Sequence, residues 1–151
     1  MNRINRRWTI ADRPVGRDVN EADFRLEQGE ARAPAEGEVL VRVDTLAFEP
    51  AMKGWMENIG GYVARTEIGD MMRGNGVGTV VESNDAALPV GAQVIGPMGW
   101  QEYATLPASA LERVADDAPP SAQLGVLGVV GLTAYCGLKH IAQPFAGDTV
   151  V

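Results

Sequence analysis

Alternation of apolar and polar side chains dominates the first two-thirds of the chain. From Arg7 to Ala11, Trp8 and Ile10 share one face. From Phe24 to Gln28, Phe24 and Leu26 oppose Arg25 and Glu27. The cleanest run is GEVLVRVDTL, where Val39, Val41 and Val43 face one way and Arg42 and Asp44 the other. A period of two marks a half-buried strand. GVGTVVES repeats the signal with Val77, Thr79 and Val81, and LPVGAQVIGP and GWQEYATLP add two shorter strands. Short strands at such spacing predict a small barrel or sandwich, not repeated βαβ units. Between them, Pro50 suits a first helical turn and predicts a short helix over Ala51–Asn58, closed by Gly60-Gly61.

The pattern changes after Pro107. Ala108–Val114 and Pro119–Leu127 are helix-compatible, and GLTAYCGLKHIAQP places Ala134, Tyr135, Leu138, Ile141 and Ala142 on one helical stripe. Lys139 and His140 suit its last turn, and Pro144 ends it. Gly147-Asp148 then turns into the β-branched Thr149-Val150-Val151, which reads as a strand beginning an α/β unit.

Composition narrows the functional classes. A chain of 151 residues, 46% hydrophobic and 22% charged, has the makings of one globular unit. Thirteen Lys and Arg face twenty acids, a net charge of −7, which disfavours nucleic acid and anionic membranes as partners. The basic start MNRINRRWTIADRP lacks the apolar core of a signal peptide. No apolar run approaches the ~18 residues of a membrane-spanning helix. A single cysteine, Cys136, favours a reducing cytoplasm.

Candidate chemistry is sparse. Gly74-Asn75-Gly76-Val77-Gly78 has the spacing G-x-G-x-G and runs into a strand, whereas a dinucleotide fingerprint opens a helix. A structural role for these glycines, at a close backbone approach, is the stronger reading. Cys136 and His140 are too few ligands for a zinc site within one chain, and nothing beside them supplies the third member of a nucleophilic triad. No catalytic residue emerges. Trp55, Met56, Tyr62, Met71, Met72, Met98 and Trp100 cluster in irregular segments, as core packing or as an apolar pocket. Glu49 and Lys53 flank them as a surface pair or a site pair.

Taken together, LAFEPAMKGWM, EIGDMMRGNGVGTVVESN, GWQEY and LGVLGVVGLTAYCGLKHIAQPFAGDTVV resemble, in order and spacing, zinc-independent medium-chain dehydrogenases/reductases. The similarity is to the NADP-dependent curcumin reductase and leukotriene/prostaglandin (alkenal double-bond) reductase branch, and it runs from Asn5 to Val151. It implies a mainly β fold, a GroES-like partly open β-barrel with short helices, a C-terminal crossing helix and the start of a Rossmann strand. Residues 1–130 would be the GroES-like catalytic domain. Residues 131–151 would be the crossing helix and first strand of a nucleotide-binding domain whose phosphate loop lies outside this sequence.

The implied chemistry is hydride transfer from NADPH to the β-carbon of a small apolar enone or enal, with hydride transfer not expected of these residues alone. The resemblance places Glu49, Ala51, Met52, Lys53, Tyr62 and Trp100 around the substrate. It places Val129, Gly131 and Thr133 near the nicotinamide, and it leaves homodimer formation open. Three positions depart from the family pattern. Ala51 replaces a tyrosine and removes a hydroxyl, Lys53 replaces an arginine and its planar fork, and Val129-Val130 replaces Met-Pro. The rival reading is a stand-alone GroES-like binding or assembly module, without catalysis.

Overall fold

The computed structural model describes residues 3–58, 66–114 and 118–150. Among these residues, seven strands form two antiparallel sheets that do not close on themselves. Strands β1 (Ile4–Ile10) and β2 (Phe24–Glu30) make a two-stranded ribbon. The larger sheet has the order β6-β3-β4-β5-β7. Its members are β3 (Glu38–Leu46), β4 (Gly76–Ser83), β5 (Gln93–Gly96), β6 (Tyr103–Pro107) and β7 (Glu112–Arg113). Among the described residues, no helix is long and apolar enough to cross a membrane.

β3 sits inside the sheet, hydrogen-bonded to β4 on one side and β6 on the other. Val39 and Val41 are fully buried there with Val80, Leu88, Ala92, Val94, Met98, Ala104 and Leu111. Leu40, on the opposite face by alternation, is buried too, so β3 is covered more fully than a half-buried strand. The expected common face of Val77, Thr79 and Val81 does not form. Leu40 pairs with Glu82 and Val41 with Val80, so Val81 is passed over in a bulge, and Val77 and Val80 become the buried pair. A second irregularity skips Asp44, whose carboxylate takes hydrogen bonds from Thr79 Oγ1 at 2.7 Å and Arg42 Nε at 2.8 Å.

Gly78 lies opposite Val43, where a Cβ would come within 2.3 Å of the Arg42 carbonyl oxygen. The glycine run is therefore a close backbone approach between strands.

The ribbon is joined to the larger sheet through the outer edge of β1. The Trp8 amide donates to the Trp100 carbonyl at 2.8 Å, and the Trp8 carbonyl accepts from the Met72 amide at 2.9 Å. The Ile10 amide donates to the Asp70 carbonyl at 2.9 Å, and the Glu102 amide to the Arg6 carbonyl at 3.0 Å. From Arg6 to Ile10, every second residue of β1 thus bonds its backbone on this side. A second core fills the gap, with Ile10, Met52, Met56 and Met72 buried against Phe24, Trp55 and Trp100.

The short helix appears as α1 (Ala51–Glu57). Asn58, at φ 57°, ends it in the left-handed conformation, whereas the expected closing pair Gly60-Gly61 lies outside the described residues. Ala108–Val114 is not one helix: a 3₁₀ turn at Ala108–Ala110 leads into β7. Helix α2 (Pro120–Leu124) packs against β3 and β4. Helix α3 runs Val129–Cys136, two residues earlier than Gly131, and continues as a π-helical turn over Gly137–Ala142. Neither segment buries a residue, so the expected apolar stripe faces solvent. Lys139 leans over Tyr135 instead, donating to its hydroxyl at 2.7 Å. Among the described residues, Thr149 and Val150 join neither sheet; Val151, the last residue of the strand expected there, lies outside them.

Two outcomes follow. Gly78→Ala forces the Arg42 carbonyl aside and lowers unfolding stability by roughly 2–3 kcal/mol, measured by urea denaturation. Glu38 accepts both Arg32 guanidinium nitrogens, at 2.6 and 2.7 Å, and the Ala35 amide at 2.8 Å. Chiefly through Arg32, its carboxyl falls from the usual 4.5 to about 2. A lowered folded-state pKa stabilises above the unfolded value and ceases to do so as pH falls through the folded one. Glu38→Gln is therefore less stable than the parent at pH 7, and the gap in Tm closes between pH 4.5 and about 2.

Candidate functional site

A groove of about 620 Å³ opens over the second core. Its floor is Met52, Met56 and Met72, and its walls are Val19, Asn20, Glu21 and Phe24 on one side and Phe48, Glu49, Pro50 and Lys53 on the other. Trp100 stands between two aromatic rings, stacked on Phe24 at 5.1 Å and tilted against Phe48 at 4.9 Å. Aromatic contacts of this kind fix ring orientation. The indole Nε1 is buried with no hydrogen-bond partner among the described residues, and it faces Gly74, where a Cβ would stand 3.1 Å away. Ring packing and the backbone bonds to Met72 and Trp8 hold the side chain, not its polar atom.

Methionines answer both readings left open by the sequence. Met56 and Met72 are core residues and also form the groove floor, whereas Met98 belongs to the sheet core. Long, unbranched thioether side chains leave such a floor adaptable.

The wall before Phe24 is built by an ion-paired turn. Asn20 caps a 3₁₀ turn at Glu21–Asp23: its side chain accepts from the Ala22 amide at 2.9 Å, while Asp23 accepts from the Asn20 amide at 2.8 Å. The buried Asp23 carboxylate takes both Arg17 guanidinium nitrogens, one at 2.9 Å. That fork is the main reason its carboxyl lies below the usual carboxylate range. Arg13 ties the same segment to α1 and beyond, donating at 2.9 Å to the Met56 carbonyl and to Glu67.

Of the residues expected around a substrate, Glu49, Met52, Lys53 and Trp100 come together here. Ala51 is exposed on α1 and does not line the groove, and Tyr62 lies outside the described residues. Lys53 does not pair with Glu49; it reaches Glu57, one turn on, at 2.6 Å. Sequence reasoning missed Val19, Asn20, Glu21, Phe24 and Phe48. The one available signal was the Asn20-x-x-Asp23 capping box ahead of Phe24.

A second cleft, of about 730 Å³, separates the end of the large sheet from the C-terminal helices. Glu49, Asn75, Ile95, Gly128, Val129 and Leu132 are among its lining residues, so Glu49 borders both cavities. Gly131 and Thr133 do not line it. A Cβ on Gly131 would come within 1.9 Å of the Val126 carbonyl oxygen, and the Thr133 hydroxyl donates to the Val129 carbonyl at 2.7 Å.

Residues 6–114 match a family described as the N-terminal domain of oxidoreductase. Over 148 residues the chain is 43% identical to the NADPH-dependent curcumin reductase of Escherichia coli (strain K12), covering 97% of this chain and 43% of that protein. The chain belongs to the NADP-dependent medium-chain dehydrogenase/reductase family. Within that family it is 36% identical to prostaglandin reductase 1 of Bos taurus over 148 residues, covering 95% of this chain and 43% of the relative. The crystal structure of CurA in complex with NADPH from Vibrio vulnificus superposes with a TM-score of 0.86. Identity there is 38%, over 95% of this chain and 42% of that one. The chain spans about two-fifths of the length of these reductases.

Asp23→Asn keeps the shape of the turn but removes the charge that Arg17 grips. Amide hydrogen exchange at Asn20 and Ala22 then accelerates about tenfold or more, while exchange in β3 is unchanged. Unchanged exchange at both turn amides would show that the pair does not hold the wall.

Proposed function

We propose that these residues form the substrate-binding half of an NADPH-dependent reductase of α,β-unsaturated ketones and aldehydes. Residues 1–130 serve as the GroES-like catalytic domain, and 131–151 as the crossing helix and first strand leading toward a nucleotide-binding domain. The observation that carries this reading is the open groove in which Trp100, braced by Phe24 and Phe48, stands over a methionine floor. A flat conjugated carbonyl compound buries its faces against such surfaces and loses little hydration in doing so. Relatives named for curcumin, prostaglandin and 2-alkenal reduction support the same class.

When bound, NADPH supplies a hydride to the β-carbon of the enone. The cleft that meets the groove at Glu49 is roomy enough for one end of a dinucleotide, and Val129 lines it. By family resemblance, Gly131 and Thr133 complete the contact. The Thr133 hydroxyl donates inward to Val129 and keeps its oxygen as an acceptor, at an exposed position. The chain's own work is to hold the enone plane, exclude water from one side of it, and present its edge toward the cleft.

On this reading the 151 residues bind an enone but do not reduce it without the nucleotide-binding half. Incubated with NADPH and a simple aromatic enone, the polypeptide is expected to leave reduced-nicotinamide absorbance unchanged. Trp100→Ala weakens enone binding about tenfold in equilibrium dialysis. Loss of the cofactor signal in proportion to protein concentration, or binding indifferent to Trp100, would overturn it.

A further inference from the structure

The charges around the groove are unevenly satisfied. Arg13, Arg17 and Lys53, on the segments that wall it, are each held by a carboxylate: Glu67 at 2.9 Å, Asp23 together with Asp12 at 3.2 Å, and Glu57 at 2.6 Å. Glu21 and Glu49 line the groove itself and have no cationic partner among the described residues. They stand on opposite walls, with Glu49 at the junction of groove and cleft. Apart from Asn20 and Lys53, whose charge is taken by Glu57, the surface between them is apolar, chiefly aromatic and thioether, which does little to screen a charge.

We propose that this groove selects uncharged conjugated carbonyl compounds and turns away the same skeleton when it carries a carboxylate. Glu49 is the specificity-determining residue and Glu21 its counterpart across the groove. This rests on reading the groove as the substrate site. An incoming carboxylate would give up water without gaining a guanidinium or ammonium in exchange, because Arg13, Arg17 and Lys53 are already engaged. It would also meet two like charges. A ketone or aldehyde presents only a carbonyl dipole and suffers neither penalty. Discrimination of this kind works by repelling the wrong ligand and needs no extra contact with the right one.

The test compares two probes of one skeleton, 4-phenyl-3-buten-2-one and its para-carboxylate, by equilibrium dialysis against the chain at pH 7. The neutral enone is expected to bind about tenfold tighter than the anion. Two measurements assign that ratio to charge. Glu49→Gln, alone and with Glu21→Gln, narrows it, and so does 1 M salt on the unaltered chain, where the Debye length falls to about 3 Å. Equal binding of the two probes, or a ratio unmoved by both amides and salt, overturns charge selection while leaving the groove as an enone site. Binding of neither probe overturns the groove reading and this inference with it.

Discussion

The outer edge of β1 is the constraint on which the rest of the molecule depends. A two-stranded ribbon alone is marginal in water, and here its free edge is shared between two separate stretches of chain around Met72 and Trp100. Trp8 bonds to both, so the ribbon, the segment before β4 and the segment before β6 are locked in a fixed relation. That lock brings Phe24, from β2, against Trp100. It also places Ile10 among the methionines of the second core. Without it, no wall would face α1 and there would be no groove.

The groove is thus a product of main-chain bonding, while its character comes from side chains with few polar demands. The ion pairs fall mostly on its supports: buried Asp23 with Arg17 behind one wall, Arg13 on the carbonyl end of α1, and Lys53, itself a wall residue, with Glu57 along the helix. Each pair fixes the position of a backbone segment and leaves the floor of the cavity apolar. The two glutamates left at the surface, Glu21 and Glu49, then set the sign of the local field.

Much of the sheet was legible in the sequence, because alternation at Val39, Val41 and Val43 marks the face that is buried at the first two and partly buried at the third. The bulges were not. Val81 and Asp44 look like ordinary members of their runs, and only cross-strand pairing shows that each is passed over. Close approach at Gly78 was readable as a class, but the partner carbonyl of Arg42 was not. In the site, residues near one another in sequence were found together, as with Glu49, Met52 and Lys53. The opposite wall, some thirty residues earlier, was invisible, because its capping box resembles any other turn until Phe24 is seen against Trp100. Lys53 was mispaired for a simple reason. Glu49 and Glu57 are both four residues away, and α1 begins only at Ala51, so only Glu57 shares its helix.

The exposure of α3 and the π-helical turn bears on how this molecule would melt. Their apolar side chains are in water before unfolding as well as after it, so their loss adds little to the heat-capacity change that buried surface produces. Trp8, Trp55 and Trp100 all belong to the β body. Indole fluorescence and calorimetric enthalpy therefore follow the sheets and their two cores, while part of the helical circular dichroism decays on its own and earlier. A single midpoint assigned to the whole chain would average two events with different physical origins.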